Sequence, residues 1–139
     1  MEIELLRLAR RTPGFLPEAE GLALHEAALG ASGRGPLLEI GSYCGLSALY
    51  LGAAAQARRG VLFSLDHHGG SEEHQPGQEY HDPALVGPDG RVDTLPCFRR
   101  TLAAAGLEDV VAGLVGASSI VAAAWRTPLG LVFIDGGHS

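Results

Sequence analysis

The chain is short of basic residues, of cysteine and of long apolar runs, and each shortage removes a class of function. Ten Lys and Arg stand against sixteen Asp and Glu, for a formal charge of −6 and a pI near 5.4. No window gathers the cations into a stripe able to neutralise several phosphates, so neither nucleic acid nor an anionic membrane surface is expected as a partner. The two cysteines, Cys44 and Cys97, are far apart and form no C-x-x-C pair. Nothing at the start of the chain reads as a secretory leader, so no disulfide framework is indicated and a cytoplasmic setting is expected. Gly, Ser or Arg interrupts every apolar stretch well before the roughly 20 residues that a membrane span requires.

What is present suits one α/β domain. The 139 residues, 46% of them hydrophobic, are enough for one core and too few for two. Glycine, at 20 residues, stands at about twice its usual share without forming a repeat, as many tight strand-to-helix turns would require. The spacing of Ala19, Leu22, Ala23, Glu26 and Leu29 predicts a helix over Pro17–Leu29, followed by a flexible connector from Gly30 to Gly35. Apolar runs at Pro36–Ile40, Val61–Leu65, Val110–Val115 and Leu131–Ile134 predict strands. Helices are predicted at Leu46–Ala57, at Thr94–Ala105 (capped by Asp93 or Thr94, stopped by Gly106) and at Ser119–Trp125. Apolar strands alternating with helices predict a mostly parallel sheet layered between helices, with polar residues at the carboxyl ends of the strands, where such sheets bind ligands.

Three places carry chemistry. Glu39-Ile40-Gly41-Ser42-Tyr43-Cys44-Gly45 joins the first strand to its helix, with glycines where a backbone must approach a ligand closely. The spacing is G-x-x-x-G, and Tyr43 stands where a dinucleotide fingerprint needs its second glycine, which disfavours a nicotinamide dinucleotide. Asp66 ends the second strand, where a carboxylate can accept hydrogen bonds from ribose hydroxyls. Gly116-Ala117-Ser118 follows the third strand, where small residues would let a flat ring lie against the backbone; Ser118 or Ser119 could equally cap the next helix. Between Asp66 and Asp93 lies a long loop with His67, His68, His74 and His81, which Glu72, Glu73, Glu79 and Asp82 could assist in holding a transition metal, although the spacing fits no compact zinc pattern. A solvated lid, or a substrate-contacting loop with one histidine as general base, is the commoner use of such a segment. Cys44 is expected to be a small buried packing residue, and Trp125 to sit in the core.

Taken in order, Leu38 to Ser47, Asp66, Gly116-Ala117-Ser118 and Phe133-Ile134-Asp135-Gly136-Gly137-His138 resemble the class I (Rossmann-like) methyltransferases, and within them the catechol O-methyltransferase-like small-molecule O-methyltransferases and their bacterial relatives. The resemblance runs from about residue 13 to the last residue. It implies a three-layer sandwich of which four strands of the usual seven are present. Residues 1–35 would be an N-terminal helix and connector, 36–66 the cofactor-motif unit, 67–93 the His-rich lid loop and 94–139 a shortened second βα half. It further implies that Glu39, Gly41, Ser42, Tyr43, Gly45 and Ser47 surround the methionine part of S-adenosylmethionine, with Ser47 near its carboxylate. Asp66 would hold the ribose, His67 would flank the adenosine, and Ala117 and Ser118 would meet the adenine.

In metal-dependent members an aspartate at the place of Asp135 is one of three Mg²⁺ ligands, and a bound cation lowers the pKa of an acceptor hydroxyl. A lone Asp135 does not make the oxygen cage Mg²⁺ prefers. Catalytic candidates are Asp135, His138 and His68. The expected function is methyl transfer from S-adenosylmethionine to a small-molecule hydroxyl. The alternatives are a domain that holds S-adenosylmethionine or S-adenosylhomocysteine without turnover, and a His-rich metallo-hydrolase on the same scaffold. Unpaired strand edges favour self-association, so a homo-oligomer is expected.

Overall fold

The computed structural model describes residues 1–70, 74–78 and 81–135. Four strands, β1 (Leu37–Ile40), β2 (Leu62–Asp66), β3 (Val111–Val115) and β4 (Leu131–Ile134), form a parallel sheet in the order β3-β2-β1-β4. Leu37 lies beside both Leu62 and Leu131, and Glu39 beside Ser64 and Phe133. Because strand side chains alternate, these residues share one face, and Leu38, Ile40, Phe63, Leu65, Val132 and Ile134 share the other.

The first face packs against α3 (Leu46–Ala57), around which lie α1 (Ile3–Arg11), α2 (Glu18–Ala31) and α4 (Leu95–Ala105). Helix α3 has no polar face and is buried from Leu46 to Ala55. A helix that is apolar all round is stable only when surrounded. Small residues permit the close approach: Tyr50 of α3 fits over Gly21 of α2, and Leu107 and Val111 close on Gly52. On the second face, α5 (Ser118–Ala124) covers Leu38, Ile40 and Leu65.

Trp125 lies on that second face too, half-buried and edge-on to Phe63 at 5.3 Å, with its indole N–H donated to the Thr127 carbonyl at 2.7 Å. It covers a strand from outside, which corrects the expectation of a core residue. Helix α2 runs on through Gly30 because Ala28 and Ala31 are both buried, and a 3-10 turn at Ser32–Arg34 follows, so the segment read as a flexible connector is ordered. Helix α1 was not anticipated; Leu5 and Ala9, four residues apart, are its buried stripe. Strand β2 extends to include Asp66, and α5 begins at Ser118 with no side chain capping it, which removes the capping role considered for Ser118 and Ser119. Among the described residues no helix is long and apolar enough to cross a membrane.

Gly130, at the entry to β4, is a point of backbone contact: a Cβ there would stand 2.4 Å from the Ala31 carbonyl oxygen and 2.9 Å from that of Gly35. Gly130→Ala should therefore lower the unfolding free energy by about 1–3 kcal/mol, the range for forced overpacking. The check is a urea denaturation midpoint, and a wild-type value would show that the end of α2 yields freely.

Candidate functional site

The glycine turn from β1 into α3 has little freedom. Gly45 caps α3 in the left-handed region at φ 92°, and its N–H closes the turn on the Ser42 carbonyl at 2.9 Å. Tyr43 also has positive φ, 47°, a conformation that costs a non-glycine residue about 1 kcal/mol or more. Its N–H donates to Asp66 Oδ2 at 2.9 Å, which holds it there. The other oxygen of Asp66, Oδ1, accepts the His68 N–H at 3.0 Å, and the Asp66 carbonyl accepts the Gly116 N–H at 3.1 Å. Asp66 thus joins the turn, the loop after β2 and the segment after β3. It is half-buried, and each carboxylate oxygen keeps acceptor capacity for a ligand hydroxyl.

Beneath the turn lies a second carboxyl group. Glu39 is fully buried; Oε2 accepts the Ser47 hydroxyl and Oε1 the Ser64 hydroxyl, and Ser64 shares a 2.6 Å hydrogen bond with Ser42. Burial pushes the Glu39 pKa up to about 7, against the two serine hydrogen bonds, with Asp66 and Asp135 adding to the rise. Glu39, Ser42 and Ser47 therefore form the floor under the turn, and the hydroxyl of Ser47 is already committed to Glu39. Tyr43, at the turn itself, has its phenol pushed up to about 12, chiefly by burial, and stays neutral.

The other predicted residues take different places. Gly41, at φ 104°, donates its N–H to the Leu65 carbonyl at 2.8 Å, and Asp135 N–H donates to the Ile40 carbonyl at 2.9 Å, so both stand at the carboxyl edge of the sheet. Ala117 is half-buried and Ser118 exposed just beyond β3. His67 is exposed and its Nδ1 accepts the Gly69 N–H at 2.9 Å. His68 is only 2% exposed, its Nδ1 lies 2.7 Å from Thr94 Oγ1, and burial lowers its pKa, so it is a neutral ring pinned to the start of α4. His138, like Gly136 and Gly137, lies outside the described residues.

The described histidines of the loop diverge. His74 stacks on Tyr43 at 5.0 Å, and His81 bonds the His74 carbonyl at 3.0 Å through Nδ1. Among the described residues no group of three or more His, Cys, Asp or Glu could hold a metal ion; Glu72, Glu73 and Glu79 lie outside them. The transition-metal reading therefore has no support. Asp135 is exposed, and among the described residues it belongs to no cluster of three or more carboxylates or other ligands that could hold Mg²⁺, so the described residues do not fit that ion.

Three contributors escaped the sequence reading. Ser64, a polar residue inside an apolar strand, was visible in principle. Thr94, read from the sequence only as a cap candidate for α4, gave no sign that it would meet His68, and Phe15, 6.0 Å from both Tyr43 and His74, carries no local signal.

A family model described as methyltransferase domain matches residues 38–139, and the chain belongs to that family. Solved structures share its fold. One is the O-methyltransferase TomG from Streptomyces achromogenes, involved in tomaymycin synthesis and in complex with SAM, at 20% identity and TM-score 0.63, covering 98% of this chain and 54% of that one. Others are an O-methyltransferase from Bacillus cereus in complex with SAH, at 19%, 0.63, 98% and 55%, and an SAH-bound methyltransferase from Podospora anserina, at 17%, 0.61, 98% and 51%. The chain spans about half the length of these structures.

The buried Glu39 makes stability depend on pH. Its folded pKa of about 7 exceeds the ordinary 4.5, so the folded state holds the proton more tightly. Stability is then greatest below pH 4.5 as far as this group goes, and it declines by on the order of 3 kcal/mol as pH rises to about 7. Glu39→Gln should flatten that slope in denaturation midpoints taken from pH 5 to 8; a slope that persists would belong to another group.

Proposed function

We propose that this chain is the S-adenosylmethionine-binding part of a methyltransferase acting on a small molecule, with an oxygen as the methyl acceptor. The observation that carries the reading is the Asp66 carboxylate, fixed by the N–H groups of Tyr43 and His68 beside a turn whose φ values are positive at Gly41, Tyr43 and Gly45. An acceptor carboxylate at the end of the second strand, next to a turn open to close approach, suits a ribose. The donor set therefore fits a nucleoside ligand without a pyrophosphate. Asp66 would take the ribose hydroxyls, the backbone from Gly41 to Gly45 would lie along the amino-acid part, and Ala117 and Ser118 would face the base.

When bound, S-adenosylmethionine supplies an electrophilic methyl on a sulfonium. The chain's own contribution is position: Asp66 orients, Tyr43 presents a neutral phenol, and the buried serine–Glu39 network keeps the turn in place. The O-methyltransferases of similar fold support the oxygen acceptor, and among the described residues no cluster that could hold a metal supports the metallo-hydrolase alternative. Two free thiols accord with a reducing compartment, and we place the protein in the cytoplasm.

Titration calorimetry with S-adenosylmethionine and S-adenosylhomocysteine should show micromolar binding that does not require Mg²⁺. Asp66→Ala should weaken it by about 1–3 kcal/mol, the scale of lost hydrogen bonds to a charged group. Unchanged affinity in a folded variant would remove the ribose assignment, and no binding by the folded parent chain would overturn the reading.

A further inference from the structure

Cys44 is fully buried inside the glycine turn, and the cofactor reading makes no use of its thiol. The turn rests on α4: a Cβ at Gly45 would meet Thr101 Cγ2 at 3.2 Å and Phe98 Cδ1 at 3.4 Å. Cys97 stands four residues before Thr101, whose hydroxyl donates to the Cys97 carbonyl at 3.0 Å, so it presents its side chain on the same face of α4. Cys44 and Cys97 are near enough for one thiol to bear on the other, and Cys97 is half-buried and open to solvent on one side. Burial, followed by that contact, pushes the Cys44 pKa up, with Arg100 opposing.

We propose that Cys44 and Cys97 are a redox-modification site, at which a hydroperoxide produces an internal disulfide that fastens the glycine turn to α4. The half-exposed Cys97 reacts first. Its thiolate sulfur attacks one peroxide oxygen, the S–O bond forms as the O–O bond breaks, and with hydrogen peroxide the products are a sulfenic acid and water. Cys44 then gives up its proton, its sulfur attacks the sulfenic sulfur, and the departing hydroxide takes the proton as a second water. Two thiols lose two electrons and the peroxide gains them. The sulfurs must close to about 2 Å, which draws Cys44 toward α4. Its neighbours Tyr43 and Gly45 are both held at positive φ, and Tyr43 is tied to Asp66, so the pull acts on the edge that faces the ligand. The disulfide rests on the packing of the turn against α4 beside Cys97; its consequence for binding rests on the cofactor reading.

The test treats the reduced chain with hydrogen peroxide, maps the products by alkylation and peptide mass, and titrates both forms with S-adenosylmethionine. The expected result is a mass lower by two hydrogens, a peptide pair joining residues 44 and 97, reversal by dithiothreitol, and about ten-fold weaker binding when oxidised. Cys97→Ser, a change at a half-buried position, should keep the reduced affinity and lose the response to peroxide. Thiols that stay open to alkylation, or a product that stops at the sulfinic acid of Cys97, would overturn the site. A mapped disulfide with unaltered affinity would overturn its control of binding. A mapped disulfide in a chain whose reduced form binds nothing supports the site and counts against the cofactor reading.

Discussion

Helix α3 has to be buried on every side, and the placement of the site follows from that. From Leu46 to Ala55 no position faces solvent, so the sheet, α1, α2 and α4 must all close on one rod. They can do so because the rod is thin, with Ala48, Gly52, Ala53, Ala54 and Ala55 along it, and because Gly21 admits the ring of Tyr50. A helix held from all sides does not rotate or slide without opening a cavity. The turn that feeds it therefore starts from one fixed point, Gly45, and must reach β1 within a few residues. Left-handed backbone at Gly45 and Tyr43 is how it does so.

The same burial divides the work between two carboxyl groups. Glu39 points toward α3, meets no water, and is tolerated there because Ser47 from α3 and Ser64 from β2 both donate to it, at the cost of a pKa raised to about 7. Asp66, at the end of the neighbouring strand, has reached the sheet's edge and takes backbone N–H groups on both oxygens. One group therefore secures the frame and the other is available to a ligand. The difference is set by one step along the sheet, since environment decides what a carboxylate does.

Much of this was visible in the sequence. The alternation of apolar runs and helical segments placed all four strands and α3, α4 and α5 to within a residue or two, because buried parallel strands and amphipathic or buried helices leave periodic marks. The G-x-x-x-G turn and Asp66 were found for the same local reason. What escaped was set by distance in sequence. That Glu39 would face Ser47 and Ser64, rather than line the surface of the turn, depends on the register of β2 against β1. That Phe15 would sit near Tyr43 and His74 depends on how α1 and α2 wrap α3. In β4 the run Leu131-Val132-Phe133-Ile134 reads as a strand covered on both faces; Leu131 and Phe133 are packed, while Val132 is 49% and Ile134 70% exposed. A run of four apolar residues does not say which face will find a partner.

The long loop between β2 and α4 is attached more firmly than its composition suggests. Thr94 N–H donates to the His68 carbonyl at 2.9 Å while the two side chains meet at 2.7 Å, so the loop leaves and returns at one point. Inside it, Val86 bridges Val92, the Asp93 N–H reaches the Leu85 carbonyl, and Leu85 and Val92 are buried. A closed base lets a segment this long sit over the turn without disturbing the sheet. That base also shares a residue with the site, since Asp66 holds the N–H of His68 on one oxygen and that of Tyr43 on the other. Whatever draws on the Asp66 carboxylate therefore acts on the root of the loop and on the turn together, and the His74–Tyr43 stack couples the two again a few ångströms away.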